Sequence, residues 1–264
     1  MAIDPLDDFH RTHFTHLGVT KDVFVAGAGP AVIVMAEMPG ITPSVARFAR
    51  VVMDRGYTVW MPQLFGQPGV EPGAASYVRA IGPACVSKEF AAFSRNSTAP
   101  ISQWLRALAR HAHAECGGPG VGALGMCWTG GFALGMMVDP VVVAPVLSQP
   151  SLPLNLTKRH KAALHLSPQD LAAVKARAAD GQCVMGLRFT GDPLCPPDRF
   201  ATLRAELGDA FIGVEIDSSK ENAWGIRRLA HSVVTEDLVT DDPEHPTARA
   251  LAQVLDFFDE RLME

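Results

Sequence analysis

Apolar residues recur along the chain with two alternating spacings, one typical of helices and the other of strands. In ITPSVARFARVVMDRG (residues 41–56) they recur every three or four positions, as at Val45 and Phe48. This spacing predicts a helix with one buried face. Thr42 suits its N-cap and Pro43 its first position. Similar patterns predict helices over 101–116, from just after Cys127, over about 168–180, over 197–208 and over about 247–262.

Short, nearly continuous apolar runs lie between these helices. They predict strands at 22–27, 31–37, 57–62, 121–126, 141–148, 183–190 and 211–217. Such strands, alternating with helices, are typical of a mainly parallel sheet with helices on both faces. The first two runs differ, because the short AGP connection between them predicts a hairpin-like pair. The predicted fold class is α/β.

The 264 residues favour one α/β domain spanning 1–264, and no repeat or linker divides the chain. Residues 63–98 are the exception to its regular pattern. They are rich in Gly, Pro and Ser, and only a helix around 84–93 is indicated there. A lid and a plain surface excursion are both compatible with this irregular segment.

Composition and charge narrow the choice of partners and compartment. The net charge is −5 with no block of like charge, so neither nucleic acid nor an anionic membrane surface is a predicted partner. No apolar run approaches the ~20 residues of a membrane span, and the N-terminus lacks the apolar core of a signal peptide. The five cysteines contain no CxxC pair, which favours free thiols in a reducing compartment. The expected location is cytoplasmic.

Cys127 lies in LGMCWTGGFAL (residues 124–134), between a predicted strand and a predicted helix. Such a corner projects a side chain from the carboxyl edge of the sheet, where open α/β sheets bind ligands. The first amides of the helix favour the thiolate form of a cysteine. Gly125 and Gly130 leave room for a tight corner like the G-x-S-x-G nucleophile elbow of serine enzymes. A nucleophile and a structural cysteine at a strand end remain the two interpretations.

A cysteine nucleophile needs a base, and the base needs an acid that orients it. In folds with this elbow, the acid and then the histidine follow the nucleophile along the chain. Asp192 lies in TGDPLCPPDRF after one predicted strand, and His231 lies in RRLAHSVVT beyond the next. Both are therefore predicted at the sheet edge that carries Cys127. Alone, Asp192 could simply shape a turn, and Asp198 is a rival acid that a place in the first helical turn would explain.

Glu37 ends the apolar run AVIVMAE and is followed by MPG. It could merely lead the chain out toward solvent. The loop after such a strand also donates an oxyanion-hole amide in folds with a nucleophile elbow. That amide would belong to Met38, and the second would belong to Trp128.

Four segments together resemble the dienelactone hydrolase family, which comprises cysteine hydrolases of the α/β-hydrolase fold. They are VMAEMPGITP, GMCWTGG, TGDPLCP and AHSVVT, and they span about residues 30–235. The resemblance implies a carboxylic ester hydrolase similar to carboxymethylenebutenolidase. Its predicted partner is a small-molecule ester or lactone, and family members need no metal or organic cofactor.

By this resemblance, Cys127 would attack an ester or lactone carbonyl and form an acyl-enzyme. His231 would act as base and then as acid, while Asp192 would hold its tautomer. Glu37 would contact the resting thiol and help to deprotonate it. The amides named above would bind the oxyanion.

The chain departs from the family pattern at two points. Thr129 stands where the elbow usually has glycine, and the arginines that hold the dienelactone carboxylate have no matching positions. Cations that could serve lie in the irregular segment at Arg79, Lys88 and Arg95, but the substrate-binding residues are not predicted. Two alternatives therefore stay open: a non-catalytic binding protein, and a thiol redox protein that uses Cys127 with Cys195.

Two groups of histidines have a spacing that could suggest a metal site. Zinc sites need further cysteine or carboxylate ligands in a recognisable pattern, and none accompanies these groups. The sequence therefore predicts no metal site. The histidines concerned are His10, His13, His16, His111 and His113.

Overall fold

One eight-stranded sheet forms the centre of the protein in a computed structural model that describes residues 3–73, 77, 80, 98–152 and 156–263. The strand order is β1-β2-β4-β3-β5-β6-β7-β8. β1, β2 and β4 pair antiparallel, and all later pairs are parallel. The strands are β1 (His10–His16), β2 (Val19–Gly27), β3 (Ala31–Met35), β4 (Thr58–Pro62), β5 (Val121–Met126), β6 (Val142–Ser148), β7 (Val184–Phe189) and β8 (Phe211–Ile216).

Helices cover both faces of this sheet, as the apolar pattern predicts. Residues of α1 and α7 belong to the buried apolar cluster on one face, and residues of α2, α3, α5 and α6 belong to the cluster on the other. The α-helices described are α1 (Pro43–Asp54), α2 (Ile101–Cys116), α3 (Gly130–Met136), α4 (Lys158–Lys161), α5 (Pro168–Ala179), α6 (Pro197–Leu207) and α7 (Pro246–Leu262). The architecture is the α/β-hydrolase fold.

The start of α1 follows directly from its sequence. Thr42 is in an extended conformation, and its hydroxyl accepts a hydrogen bond from the amide of Val45 at 3.3 Å. Pro43 occupies the first turn, where its missing N–H costs nothing. Val45 and Phe48 are buried, so the predicted apolar face points into the core.

The prediction that the first two apolar runs form a hairpin-like pair is wrong. β4 lies between β2 and β3 and hydrogen-bonds to both. Gly27 and Gly29 have φ values of +98° and +106°, and a Cβ on either would lie about 2.2 Å or less from a backbone oxygen of Tyr57 or Gly56. The chain between β2 and β3 therefore passes close to the residues just before β4, and β3 begins on the other side of β4 from β2.

The edge strand β1 is missing from the sequence-based assignment. Its residues, HRTHFTH, are mostly polar, and four of the seven are exposed, so they lack an apolar run. The predicted helix around 84–93 lies outside the described residues, as does most of the segment considered as a lid. Within the described ranges, no helix has the length and apolar character needed to cross a membrane.

Candidate active site

Cys127 occupies a strained corner between β5 and α3. β5 ends at Met126, a single 3₁₀ turn spans Cys127–Thr129, and α3 begins at Gly130. The φ angle of Cys127 is +54°, a left-handed conformation that is uncommon for residues other than glycine. Such strain is typical of functional positions and of the nucleophile elbow.

The two glycines that flank the corner leave room for its backbone. A Cβ on Gly125 would lie 2.1 Å from the carbonyl oxygen of Thr129, and one on Gly130 would lie 2.9 Å from the Cα of Pro150. Neither position can hold a side chain without moving backbone. Ser151 also donates its amide to the carbonyl of Cys127 at 2.9 Å, which ties the corner to the chain after β6.

His231 and Asp192 form a hydrogen-bonded pair in which Asp192 is buried and His231 is partly buried. The His231 Nδ1 lies 2.7 Å from the Asp192 Oδ2, and Asp192 is 3% exposed. The other Asp192 oxygen accepts the amide of Leu194 at 2.8 Å, which fixes the carboxylate. The His231 Nε2 is buried, and a side-chain hydrogen bond with Cys127 contributes to the raised pKa of the imidazole. Asp192 thus holds the imidazole through Nδ1, and Cys127 is its second polar neighbour.

The electrostatics of His231 link it to Cys127. Burial by itself lowers the pKa of His231. A thiolate at Cys127 and the hydrogen bond to Asp192 act in the opposite direction and outweigh burial, so the pKa is raised to about 11. The cysteine side chain therefore lies close enough to act on the imidazole. In general, a protonated imidazole beside a cysteine favours the thiolate, which is the nucleophilic form of that side chain.

Glu37 is buried just beyond β3 and accepts hydrogen bonds from the loop that follows His231. Ser232 Oγ donates to its Oε2 at 2.7 Å, Thr235 Oγ1 donates to its Oε1, and Gln149 Nε2 donates to its Oε2 at 3.3 Å. Burial raises the pKa of Glu37, although the charge of His231 and the two hydroxyls act in the opposite direction. The contact with the resting thiol that the resemblance implies is not among these hydrogen bonds.

Asp237 is a functional candidate that the sequence analysis missed. Its Oδ2 accepts the amides of His231 and Ser232 at 2.9 and 3.1 Å, and Arg227 Nε contacts its Oδ1 at 2.7 Å. Its backbone lies outside regular structure, so no periodicity points to it. An aspartate a few residues after a loop histidine is the only available signal, since short carboxylates often bind nearby amides.

The predicted oxyanion donors, Met38 and Trp128, follow the ends of neighbouring strands. Met35 of β3 is in register with Gly125 of β5, and both strands run in the same direction. Each donor residue lies two or three positions beyond its strand, so both belong to the sheet edge that carries Cys127. Trp128 is buried, and its ring stacks on Phe65 with centroids 5.8 Å apart.

Comparison with known proteins identifies the family. The dienelactone hydrolase family profile matches residues 20–261. The chain belongs to the dienelactone hydrolase family. This membership, together with the esterase structures below, supports an ester or lactone hydrolase. No curated protein sequence matches the chain.

Solved structures share the fold of this dienelactone hydrolase family member at low identity. A candidate dienelactone hydrolase from Klebsiella pneumoniae is 18% identical with a TM-score of 0.62, covering 96% of this chain and 98% of that one. A dienelactone hydrolase-like promiscuous phosphotriesterase from metagenomic libraries is 16% identical with a TM-score of 0.61, covering 99% and 100%. A cold-adapted esterase from an Arctic intertidal metagenomic library is 15% identical with a TM-score of 0.54, covering 96% and 93%.

Three cations considered for binding a substrate carboxylate, Arg79, Lys88 and Arg95, lie outside the described residues. The rival acid Asp198 lies in the first turn of α6, where a helix dipole favours it. Cys195 is fully buried, and burial raises the pKa of its thiol.

The family member's described residues contain no group of three or more His, Cys, Asp or Glu arranged to hold a metal ion. His10, His13 and His16 lie along the edge strand β1, where His13 contacts Asp22 at 2.6 Å. His111 packs against the rings of Phe14 and Trp60, with its centroid 5.3 and 5.6 Å from theirs. These contacts account for the placement of His13 and His111 without a metal.

Proposed function

We propose that this chain hydrolyses a carboxylic ester or lactone through an acyl-enzyme on Cys127. The observation that carries the proposal is the strained corner at Cys127, together with the effect of this residue on the charge of His231. The hydrogen bond that His231 Nδ1 donates to Asp192 Oδ2 supports the same assignment. The natural substrate resembles those of carboxymethylenebutenolidase in having an ester or lactone carbonyl.

In the first half-reaction, the Cys127 thiolate attacks the carbonyl carbon, and the carbonyl electrons move onto oxygen. The amides of Met38 and Trp128 stabilise this oxyanion. When the C–O bond breaks, protonated His231 gives its Nε2 proton to the leaving alkoxide, which departs as an alcohol. In a lactone, that alcohol remains attached to the acyl group.

In the second half-reaction, neutral His231 takes a proton from water, and the resulting hydroxide attacks the thioester carbonyl. Collapse of the intermediate breaks the C–S bond and restores the thiolate. The products are a carboxylic acid and a protonated His231. Asp192 keeps the Nδ1 proton in place throughout, so that only Nε2 exchanges protons with the substrate.

Glu37 has a supporting part in this mechanism. Moving its carboxyl group to the thiol would break three hydrogen bonds in a buried site, which is costly. We therefore assign Glu37 to holding the loop of His231. A thiol redox function is disfavoured, because buried Cys195 has a raised pKa and is a poor resolving thiol.

The test compares wild type with Cys127→Ala on a dienelactone, aryl esters and a thioester. Loss of at least about 10³-fold in kcat is expected, since removal of a nucleophile leaves only binding and oxyanion stabilisation. Cys116→Ala, at a half-buried cysteine at the end of α2, is the matched control and should keep full activity. Equal turnover by wild type and Cys127→Ala would contradict the proposal.

A further inference from the structure

The hydroxyl of Thr129 lies at the point where β3 and β5 separate. Thr129 is fully buried. Its Oγ1 accepts the amide of Met126 at 2.8 Å and lies 2.9 Å from the carbonyl oxygens of both Met35 and Met126. Its single hydrogen is therefore available to either carbonyl, and the oxygen joins two strands.

This bridge stands directly after the last paired residues of the two strands. The register between β3 and β5 ends at Met35 and Gly125. The next amide of β5, at Met126, donates to the Thr129 hydroxyl and so reaches Met35 through one inserted oxygen. The hydroxyl thus links the two strands one residue beyond their last registered pair.

The two chains lead from this bridge straight into the proposed oxyanion hole. Three residues beyond Met35 is Met38, and two residues beyond Met126 is Trp128. The separation of their amides depends on how the two strand ends are held. A hydrogen-bonded oxygen between those ends fixes it, while the glycine usual at this position offers no such group.

We infer that Thr129 is a positioning residue whose hydroxyl sets the spacing between the oxyanion-binding amides of Met38 and Trp128. This inference rests on the proposed acyl-enzyme function. It makes the departure at Thr129 part of the machinery rather than a sign of lost activity. The hydroxyl also contacts Met126 within the elbow turn, but the amide of Ser151 holds that turn independently through the carbonyl of Cys127. We therefore expect the reactivity of the Cys127 thiol to survive loss of the hydroxyl.

The test compares Thr129→Val, which keeps the shape and removes the hydroxyl, with Thr129→Ser, which keeps the hydroxyl. Two experiments are run on each variant. Steady-state kinetics on the best ester give kcat and KM, and alkylation by iodoacetamide, which needs no oxyanion hole, gives the reactivity of Cys127. We expect Thr129→Val to lose about 10- to 100-fold in kcat, as small misplacements of catalytic groups do. Its KM and its alkylation rate should stay within about twofold of wild type, and Thr129→Ser should recover most of kcat.

Thr129→Ala provides a second comparison if the valine variant does not fold, because it differs from Thr129→Ser by one oxygen and cannot overpack the site. A kcat for Thr129→Val or Thr129→Ala equal to that of Thr129→Ser would overturn the inference. So would an alkylation rate that falls as far as kcat, since the hydroxyl would then hold the nucleophile itself. Ester turnover that does not depend on Cys127 would overturn the proposed function. The two failures can be told apart, because failure of the Thr129 inference alone leaves turnover dependent on Cys127.

Discussion

At the scale of single residues, the site depends on the electrostatic interaction between Cys127 and His231. Although burial lowers the pKa of His231, a thiolate at Cys127 and the hydrogen bond to Asp192 outweigh it and favour the protonated form. For a base, a raised pKa means that the folded protein holds the proton more tightly than the unfolded chain. The stabilisation from His231 is therefore complete below its ordinary pKa of about 6.5 and is lost as the pH rises toward 11.

Replacement of Cys127 by alanine should lower the pKa of His231, because the thiolate is the main charge that raises it. NMR titration of the imidazole measures this pKa directly. In wild type, His231 should remain protonated at pH 8, while in Cys127→Ala it should titrate at lower pH. Cys116→Ala is the control and should leave the titration unchanged. An identical His231 titration in wild type and Cys127→Ala would refute the ion pair.

At the scale of elements, the loop after β8 carries His231 without the support of a helix or strand. Two carboxylates replace that support. Glu37, just beyond β3, holds the side chains of Ser232 and Thr235, and Asp237 holds the amides of His231 and Ser232. The histidine is thus fixed from both ends of a short segment.

Asp237→Ala should lower kcat about 10-fold, because two backbone amides at His231 lose their acceptor and the imidazole can leave its place beside Asp192. The expected change in KM is small, since Asp237 binds the backbone amides of His231 and Ser232. Arg227→Ala should have little effect, because Arg227 contacts Asp237 from an exposed position and such ion pairs contribute about 0–1 kcal/mol. Asp241→Ala, at an exposed neighbour, is the control. Full activity in Asp237→Ala would show that the loop holds its shape by other contacts.

At the scale of the whole molecule, part of the core lies at the opposite end of the central strands from the site. Phe258 of α7 is fully buried and packs edge-on against Tyr57 with centroids 5.9 Å apart. It also approaches Gly122, near the start of β5, while Cys127 follows the end of that strand. Stability and chemistry can therefore be perturbed separately.

Phe258→Ala should reduce the free energy of unfolding by about 3–5 kcal/mol, the usual cost of removing a buried phenylalanine. Urea denaturation measures this loss. At temperatures where the variant remains folded, kcat should stay within about threefold of wild type, a margin that reflects the distance from the site. Asp256→Ala removes only an exposed ion pair with Arg55 and should cost about 0–1 kcal/mol. A large loss of kcat in folded Phe258→Ala would show that core and site are coupled.

Local patterns were sufficient to predict most of the central and later elements of this fold, although not the four-residue helix α4. Strands with nearly continuous apolar runs and helices with one apolar face, such as α1, are determined by burial on two sides or on one. The strand neighbours at the start of the sheet could not be predicted. β4 lies between β2 and β3, and Gly27 and Gly29 let the chain that joins β2 to β3 pass close to the residues just before β4. This arrangement depends on contacts between residues that are far apart in the sequence.

The same division applies to the candidate site. The sequence by itself determined that Cys127, Asp192 and His231 follow strand ends, because chain order and parallel strands bring such residues to one edge. Only the tertiary structure decided that Glu37 binds Ser232 and Thr235 and that the hydroxyl of Thr129 joins β3 to β5. Strand periodicity determines which edge a residue reaches, whereas hydrogen-bond partners depend on ångström-scale distances between segments that are far apart in the chain.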